Sequence, residues 1–372
     1  MMKREYIGVD LHSTQITVHR IEVAEAGENT AETVTRKNGR YTIEDLESKF
    51  IETLHAGCAV CIEAGSGAHT LARIIVSRGA RAIVVHPLAM THIFMTAKKT
   101  DKVDAKKLAD CLKRHLESND PGDALPEVYV ADEDAQRLRM LVAQYQRVTA
   151  EMTALKNNLH ALFRQWLVPT DKGAILEKLE DYLKHPRLPP EAGPIVRREK
   201  KQFEELVLYR DELRAFIEAL GVLRFREELG LLIGVNGISV FGAACIMSDI
   251  ITIDRFKSCK NLASYLSAAP RVDASNKTVH IGRLNKAGRK MSFEILLQSV
   301  NHLVDGNPHL LAYTERKNGK SKNKIRATIV ARSMRQIFYM LKNREENRYI
   351  NLNSYVTKQR FMEKILRAQK SA

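Results

Sequence analysis

The sequence predicts an α/β domain with a mixed sheet, followed by a long helical arm and a third, mostly α-helical section. Strand and helix signals alternate in the first part of the chain, where short apolar runs are separated by polar turns. Apolar residues then recur with helical spacing from Leu138 to Leu162, and shorter helix signals resume near residue 231. The predicted domains are 1–125, 126–225 and 226–345, with a C-terminal tail at 346–372.

The first section is predicted to begin with a β-hairpin. The apolar runs Tyr6–Val9 and Ile16–His19 flank a short polar turn at Leu11–Thr14. The elements predicted after this hairpin are a helix at Ile43–Leu54, a strand at Ala59–Ile62, a helix at His69–Ser77 and a strand at Ala82–Val85.

Two acidic residues stand directly after predicted strands. Asp10 follows the run Tyr6–Val9, and Glu63 follows Ala59–Ile62. Ligands of α/β domains bind in the crevice beyond the strand ends, so both carboxylates are candidates for a functional site.

A second acidic pair, Asp101 and Asp104, is spaced for one face of a helix, and Lys98 and Lys99 precede it. Four carboxylates that converge on one point can hold two Mg²⁺ ions, the arrangement that cleaves phosphodiesters by in-line displacement. The flanking lysines suit a phosphate backbone. The alternative is a solvated helix face, on which acidic pairs at this spacing are common.

The middle section carries a heptad pattern that predicts a long coiled-coil helix. Its apolar residues alternate in steps of three and four: Leu138, Leu141, Tyr145, Val148, Met152, Leu155, Leu159 and Leu162. An amphipathic helix packed on its own chain would show the same pattern, so both structures remain open. Prolines interrupt the pattern at Pro186–Pro194, and a second helix follows from Phe203 to Leu220. A helical hairpin or a dimer arm is therefore expected.

The composition favours a polyanionic partner. The 372 residues include 59 Lys and Arg against 44 Asp and Glu, a formal charge of +15. Such an excess favours nucleic acid, with an affinity that falls as salt rises.

The five cysteines and the hydropathy pattern favour a cytoplasmic protein. An odd number of cysteines in apolar settings indicates reduced thiols, and Cys58 and Cys61 are predicted to pack in the core of a strand. No apolar stretch reaches the roughly 18 residues of a membrane-spanning helix, so no membrane partner is expected.

The third section contains a cluster of basic residues after Pro270. The candidates for phosphate contacts are Arg271, Arg283, Lys286, Arg289 and Lys290.

These segments together resemble the DEDD transposases of bacterial insertion sequences, the group that includes the Piv DNA invertases. The segments similar to the family's first domain are Tyr6–Asp10, Cys61–Ala64 and Lys99–Ala105. The segments similar to its transposase domain are Gly234–Asn236, Asp254–Ser258, Ala269–Val272 and Gly282–Gly288. The resemblance covers nearly the whole chain in order. It implies a RuvC/ribonuclease-H-like first domain, then a coiled-coil arm and a transposase domain.

The resemblance also implies a recombination chemistry. Asp10, Glu63, Asp101 and Asp104 would be the catalytic metal ligands for Mg²⁺, and Ser275 would be the nucleophile that follows the Pro-Arg stretch. The family serine is usually followed by glycine, whereas Asn276 follows here.

The partners implied by the resemblance are donor DNA, target DNA and a guide RNA encoded by the element. Members act as homo-oligomers, dimers or tetramers, with carboxylates from one subunit and serine from another. A bacterial, nucleoid-associated protein is expected.

Two further hypotheses remain open at the sequence level. A RuvC-like, structure-selective endonuclease would use water as its nucleophile and release free cut ends. A nucleic-acid-binding protein with an inactive site would bind without cleaving, although the presence of all four acids argues against this.

Overall fold

The computed structural model describes residues 3–24, 33–90, 100–275, 278–284, 288–317, 319 and 321–370. Contacts divide the chain into two compact units, Met1–Glu133 and Asp134–Ala372. The predicted boundaries near 125, 225 and 345 stay predictions.

The first unit is built on a five-stranded mixed sheet, which confirms the predicted α/β class. The strands are β1 (Lys3–Leu11), β2 (Gln15–Ala24), β3 (Thr33–Thr42), β4 (Cys58–Glu63) and β5 (Arg81–Val85). Their order in the sheet is β3-β2-β1-β4-β5. The first three strands pair antiparallel, whereas β1, β4 and β5 run parallel.

Helices cover both faces of this sheet. They are α1 (Ala68–Ser77) and α2 (Asp101–Glu117). Ile7 and Val9 of β1 pack on the face with α1, while Tyr6 packs on the face with Leu108 of α2. This division follows from the alternation of side chains along a strand, which buries consecutive residues on opposite faces.

Two features of the first unit differ from the sequence prediction. Residues predicted as a helix at Ile43–Leu54 form a shorter, irregular element, a π-helical turn at Leu46–Phe50 and a 3-10 turn at Ile51–Thr53. Strand β3 was not predicted, because its residues are mostly polar and exposed and lack an apolar alternation. It is held at the edge of the sheet by pairing with β2.

The second unit is mostly helical. Its helices are α3 (Glu133–Gln165), α4 (Leu179–Leu183), α5 (Ala192–Arg224), α6 (Arg226–Leu232), α7 (Val240–Ile250), α8 (Cys259–Tyr265), α9 (Met291–Gln298), α10 (Val300–Asp305), α11 (Pro308–Arg316), α12 (Lys322–Asn343) and α13 (Leu352–Lys370). A two-stranded antiparallel hairpin, β6 (Pro270–Ser275) and β7 (Thr278–Leu284), lies between α8 and α9. The predicted C-terminal tail thus contains helix α13.

The apolar seam of α3 packs within its own chain. Val148 and Met152 of α3 share a buried cluster with Phe203 and Leu213 of α5. A second cluster joins Leu159 and Phe163 to the segment after α3. The long helix is therefore as predicted, and its buried residues fit an amphipathic helix packed on its own chain, whereas a coiled coil between chains stays a prediction.

Cys58 and Cys61 are buried, as predicted for this pair. Cys111 and Cys245 are also buried and Cys259 is partly buried, without a disulfide among these described residues. Within the described ranges, no helix combines the length and apolarity needed to cross a membrane.

Candidate active site

Strand pairing brings Asp10 and Glu63 to the same edge of the sheet. In the parallel ladder between β1 and β4, Val9 lies opposite Ile62. The next residue of each strand is the acidic one, so the two carboxylates project from neighbouring strand ends. Both side chains are half-buried.

Helix α2 brings the second acidic pair to this edge. Asp101 and Asp104 occupy its first turn, where negative charge also interacts favourably with the helix dipole. The helix lies against β1 at Gly8, where a Cβ atom would overlap the carbonyl oxygen of Ala105 and would lie 2.5 Å from the amide nitrogen of Ala109. Only glycine permits this approach, which sets the first turn of α2 beside the end of β1.

All four acids line one cleft of about 480 Å³. The remaining lining residues are Leu11, His12, Ala64, Gly65 and Thr100. The structure therefore gathers residues that lie up to 94 positions apart in the chain, the span from Asp10 to Asp104.

His12 and Arg40 contact the carboxylates of this cleft. The Nε2 atom of His12 lies 3.1 Å from Oδ2 of Asp10 and 3.6 Å from Oδ1 of Asp101. The guanidinium of Arg40 lies 3.6 Å from Oδ2 of Asp101. His12 belongs to the turn predicted at Leu11–Thr14, whereas no sequence pattern indicated Arg40, because it belongs to the unpredicted strand β3.

Burial raises the pKa of Asp10, and the nearby carboxylates of Asp101 and Asp104 raise it further, while His12 lowers it. Crowding of like charges in a partly desolvated cleft is relieved by a bound cation. Ligand atoms of Asp10, His12 and Asp101 all lie within 4.8 Å of one another. The carboxylate oxygens suit a hard divalent cation, so the residues present fit a metal site.

Ser275 is the last residue of β6 and pairs with Thr278 at the start of β7. The backbone positions of Arg271 and Arg283 lie in these same two strands. Lys98, Lys99 and Lys286 lie outside the described residues. The structure thus places the predicted serine at the end of β6 that pairs with the start of β7.

Arg289 and Lys290 precede α9. Arg289 donates through Nε to the hydroxyl of Tyr265 at 3.2 Å, and its guanidinium lies 3.8 Å from the buried carboxylate of Asp249. Lys290 is exposed. Of the basic candidates whose side chains are described, Arg289 makes contacts within its own unit and Lys290 faces solvent.

A group of arginines around Tyr265 was not predicted. Arg139 of α3 donates to the Tyr265 hydroxyl at 3.2 Å, and Arg255 lies over its ring at 4.3 Å from the centroid. Burial acts to raise the pKa of Tyr265, but Arg255, Arg139 and Arg289 outweigh it and lower that pKa. No sequence pattern joins these residues, because they come from separate elements.

Two family models match this chain. The DEDD transposase model of the IS110 group matches residues 7–167, the range that contains the four acids. The model described as transposase, IS116/IS110/IS902 family, matches residues 230–315, the range that contains Ser275. Together the two models cover more than half of the chain.

Two curated proteins are similar to this chain. A putative transposase of Sinorhizobium fredii is 23% identical over 248 residues, which are 66% of this chain and 61% of that protein. A transposase for insertion sequence element IS1328 of Yersinia enterocolitica is 22% identical over 293 residues, 78% of this chain and 81% of that protein. The chain thus spans less than two thirds of the first relative's length. With both family models and both relatives in agreement, the chain belongs to the IS116/IS110/IS902 family of DEDD transposases.

Proposed function

We propose that this protein is a DNA transposase that cleaves and exchanges strands for an insertion sequence, with Mg²⁺ held by Asp10, Glu63, Asp101 and Asp104. The observation that carries the proposal is the convergence of these four carboxylates on one cleft. Their oxygens suit two Mg²⁺ ions.

The carboxylates of the cleft have distinct positions in this proposal. Asp10 and Glu63 project from paired strands, which restrict their movement. Asp101 and Asp104 stand on a helix turn held against β1. His12 orients Asp10 through its hydrogen bond. A Mg²⁺ ion held by these carboxylates would activate the attacking hydroxyl and would stabilise charge on the leaving oxygen.

The nucleophile in this proposal is the hydroxyl of Ser275. Its oxygen forms a bond to the phosphorus of a DNA phosphodiester while the bond from phosphorus to one sugar oxygen breaks. The serine hydroxyl loses its proton, and the sugar oxygen leaves and takes up a proton. The phosphoserine link conserves the bond energy for rejoining. The family match over residues 230–315 supports this role.

The proposed partners are donor DNA, target DNA and a guide RNA from the element. The formal charge of +15 supports a polyanionic partner. The proposed phosphate contacts are Lys98, Lys99, Arg271, Arg283, Lys286, Arg289 and Lys290. We further propose that the protein acts as a dimer or a tetramer.

A strand-exchange assay tests this function. The protein is combined with Mg²⁺, RNA transcribed from the flanking element DNA, and labelled donor and target duplexes, and the products are separated under denaturing conditions. We expect a labelled adduct of protein and DNA that disappears in Ser275→Ala but persists in Ser264→Ala, a change at an exposed residue of α8.

Other products would support other functions. Free cut ends without an adduct, unchanged in Ser275→Ala, would identify a structure-selective endonuclease that uses water. Binding without cleavage at any Mg²⁺ concentration would identify a nucleic-acid-binding protein without catalytic activity.

A further inference from the structure

A basic groove lies on the helical arm, apart from the residues discussed above. It encloses about 720 Å³ between the C-terminal half of α3 and the segment after that helix. Three cationic side chains line it: Lys156 and Arg164 from α3, and Lys172 from the following segment. Among the described residues that line it, none is Asp or Glu.

The three cations of the groove have no acidic partner within 4 Å in the part of the chain that the structure describes. The acid next to Lys172 in sequence, Asp171, instead accepts from the amide of Gly173 at 3.0 Å and lies 3.5 Å from Lys178. Several other basic residues of the arm are paired, such as Arg197 with Glu180 and Arg147 with Glu151. The groove therefore concentrates positive charge that the fold does not neutralise.

The shape of the groove is fixed by hydrogen bonds and a ring contact and not by ion pairs. His160 of α3 lies 2.8 Å from the hydroxyl of Thr170 through Nδ1, which ties the two walls together. The amide of Asp171 donates to the hydroxyl of Tyr182 at 3.0 Å. The Lys156 ammonium lies 5.0 Å from the centroid of the Phe203 ring. A preformed wall of this kind loses little conformational entropy on binding.

A second cleft of about 470 Å³ adjoins the groove and shares Thr153 with it. Its lining includes Gln146, Thr149, one acidic residue, Glu294, and the ring pair Tyr145–Phe241, whose centroids are 4.7 Å apart. The face of α3 from residue 146 to residue 164 extends roughly 27 Å. The combination of a basic stretch with a stretch of aromatic, amide and hydroxyl groups is typical of surfaces that follow a nucleic acid strand.

We propose that the groove of Lys156, Arg164 and Lys172 binds the sugar–phosphate backbone of a nucleic acid. Phosphate oxygens provide the negative charge that the groove lacks, and the hydroxyl and amide groups at its walls can donate to them. The proposal rests on the proposed function only in taking a nucleic acid as the partner, because it does not depend on the chemistry of the acidic cleft.

The test neutralises the groove in the full-length protein. The triple variant Lys156→Gln, Arg164→Gln, Lys172→Gln is compared with a control, Lys184→Gln, Arg198→Gln, Lys201→Gln, which removes the same charge from exposed residues of the arm outside the groove. The probes are a labelled RNA hairpin and a DNA hairpin of the same sequence. Binding is measured in EDTA across a salt series, so that the acidic cleft and its metal do not contribute.

We expect the groove variant to bind at least about tenfold more weakly than the control, with a slope of log affinity against log salt smaller by roughly two. A loss confined to the RNA hairpin assigns the groove to RNA, and a loss confined to the DNA hairpin assigns it to DNA. A loss for both assigns it to the backbone that the two share. Equal binding by the groove and control variants would overturn the proposal.

Two further measurements keep these outcomes interpretable. Thermal unfolding verifies that each variant is folded, and the single change Arg164→Gln repeats the test if the triple variant is not. Asp104→Asn should bind both hairpins as the unaltered protein does. A variant that loses cleavage but binds the hairpins normally therefore tests the proposed function. A variant that loses only hairpin binding tests the proposal for the groove.

Discussion

The Nε2 atom of His12 lies 3.1 Å from Oδ2 of Asp10, so this histidine contacts the first acid of the cleft directly. The same ring nitrogen lies 3.6 Å from Oδ1 of Asp101. One side chain thus stands between an acid from a strand end and an acid from a helix turn. This position suits a residue that orients carboxylates for a metal ion.

We expect His12→Ala to weaken the Mg²⁺ binding that cleavage requires. Groups that orient metal ligands typically contribute about 10- to 100-fold to metal affinity or activity. A Mg²⁺ titration of cleavage should show the half-saturating concentration rising by at least about tenfold. The control is His55→Ala, a histidine before β4 that lies 3.5 Å from Glu5. An unchanged titration in His12→Ala would remove the orienting role.

Replacing a carboxylate by its amide should separate cleavage from binding. Asp10→Asn or Asp104→Asn removes one anionic ligand from the cleft, and we expect strand cleavage to fall on the order of 100-fold or more. Binding of DNA or RNA should persist, because the basic residues are unchanged. Gel assays of cleavage and of binding measure the two effects.

The matched control for the ligand variants is Asp110→Asn, farther along α2, where the carboxylate pairs with Arg36 at 2.7 Å. We expect this variant to cleave normally. Full cleavage by Asp10→Asn or Asp104→Asn would contradict the assignment of the metal ligands.

The close approach of α2 to β1 should not tolerate a side chain at Gly8. In Gly8→Ala, the new methyl group overlaps the carbonyl of Ala105, so the helix must move away. We expect the free energy of unfolding to fall by about 1–3 kcal/mol. Cleavage should fall as well, because Asp101 and Asp104 move with the helix.

The comparison variant is Gly65→Ala, where an added Cβ meets nothing within 4 Å. Chemical denaturation should show unfolding close to that of the unaltered protein. If Gly8→Ala were as stable as Gly65→Ala and cleaved as well as the unaltered protein, the spacing of α2 and β1 would not position the acids.

The packing of α3 within its own chain predicts which apolar residues stabilise the monomer. Leu159 is fully buried, whereas Leu208 of α5 is 68% exposed. We expect Leu159→Ala to lower the free energy of unfolding by about 2–5 kcal/mol at any protein concentration. Leu208→Ala should change it by less than about 0.5 kcal/mol.

Denaturation at several protein concentrations distinguishes a helix α3 that packs on its own chain from one that forms a coiled coil between chains. If the loss in Leu159→Ala shrank on dilution of the protein, the stabilising contact would lie between chains. The seam would then form a coiled coil rather than an intramolecular core.

Much of the first domain follows from local pattern. The hairpin of β1 and β2, strands β4 and β5, and helix α1 were predicted because each buries an apolar run or stripe. Strand β3 has no such pattern, since it is stabilised by pairing with β2 at the edge of the sheet. Arg40 was missed for this reason, although it contacts Asp101.

The sequence by itself determined the α/β class, the long helix, the positive charge and the identity of four acids that follow or begin regular elements. Only the tertiary structure decided that these acids share one cleft, that His12 and Arg40 contact them, and that the seam of α3 is buried within its own chain. The physical reason is that periodicity reports which face of an element is apolar. It does not report which distant backbone lies against that face, as α2 lies against Gly8.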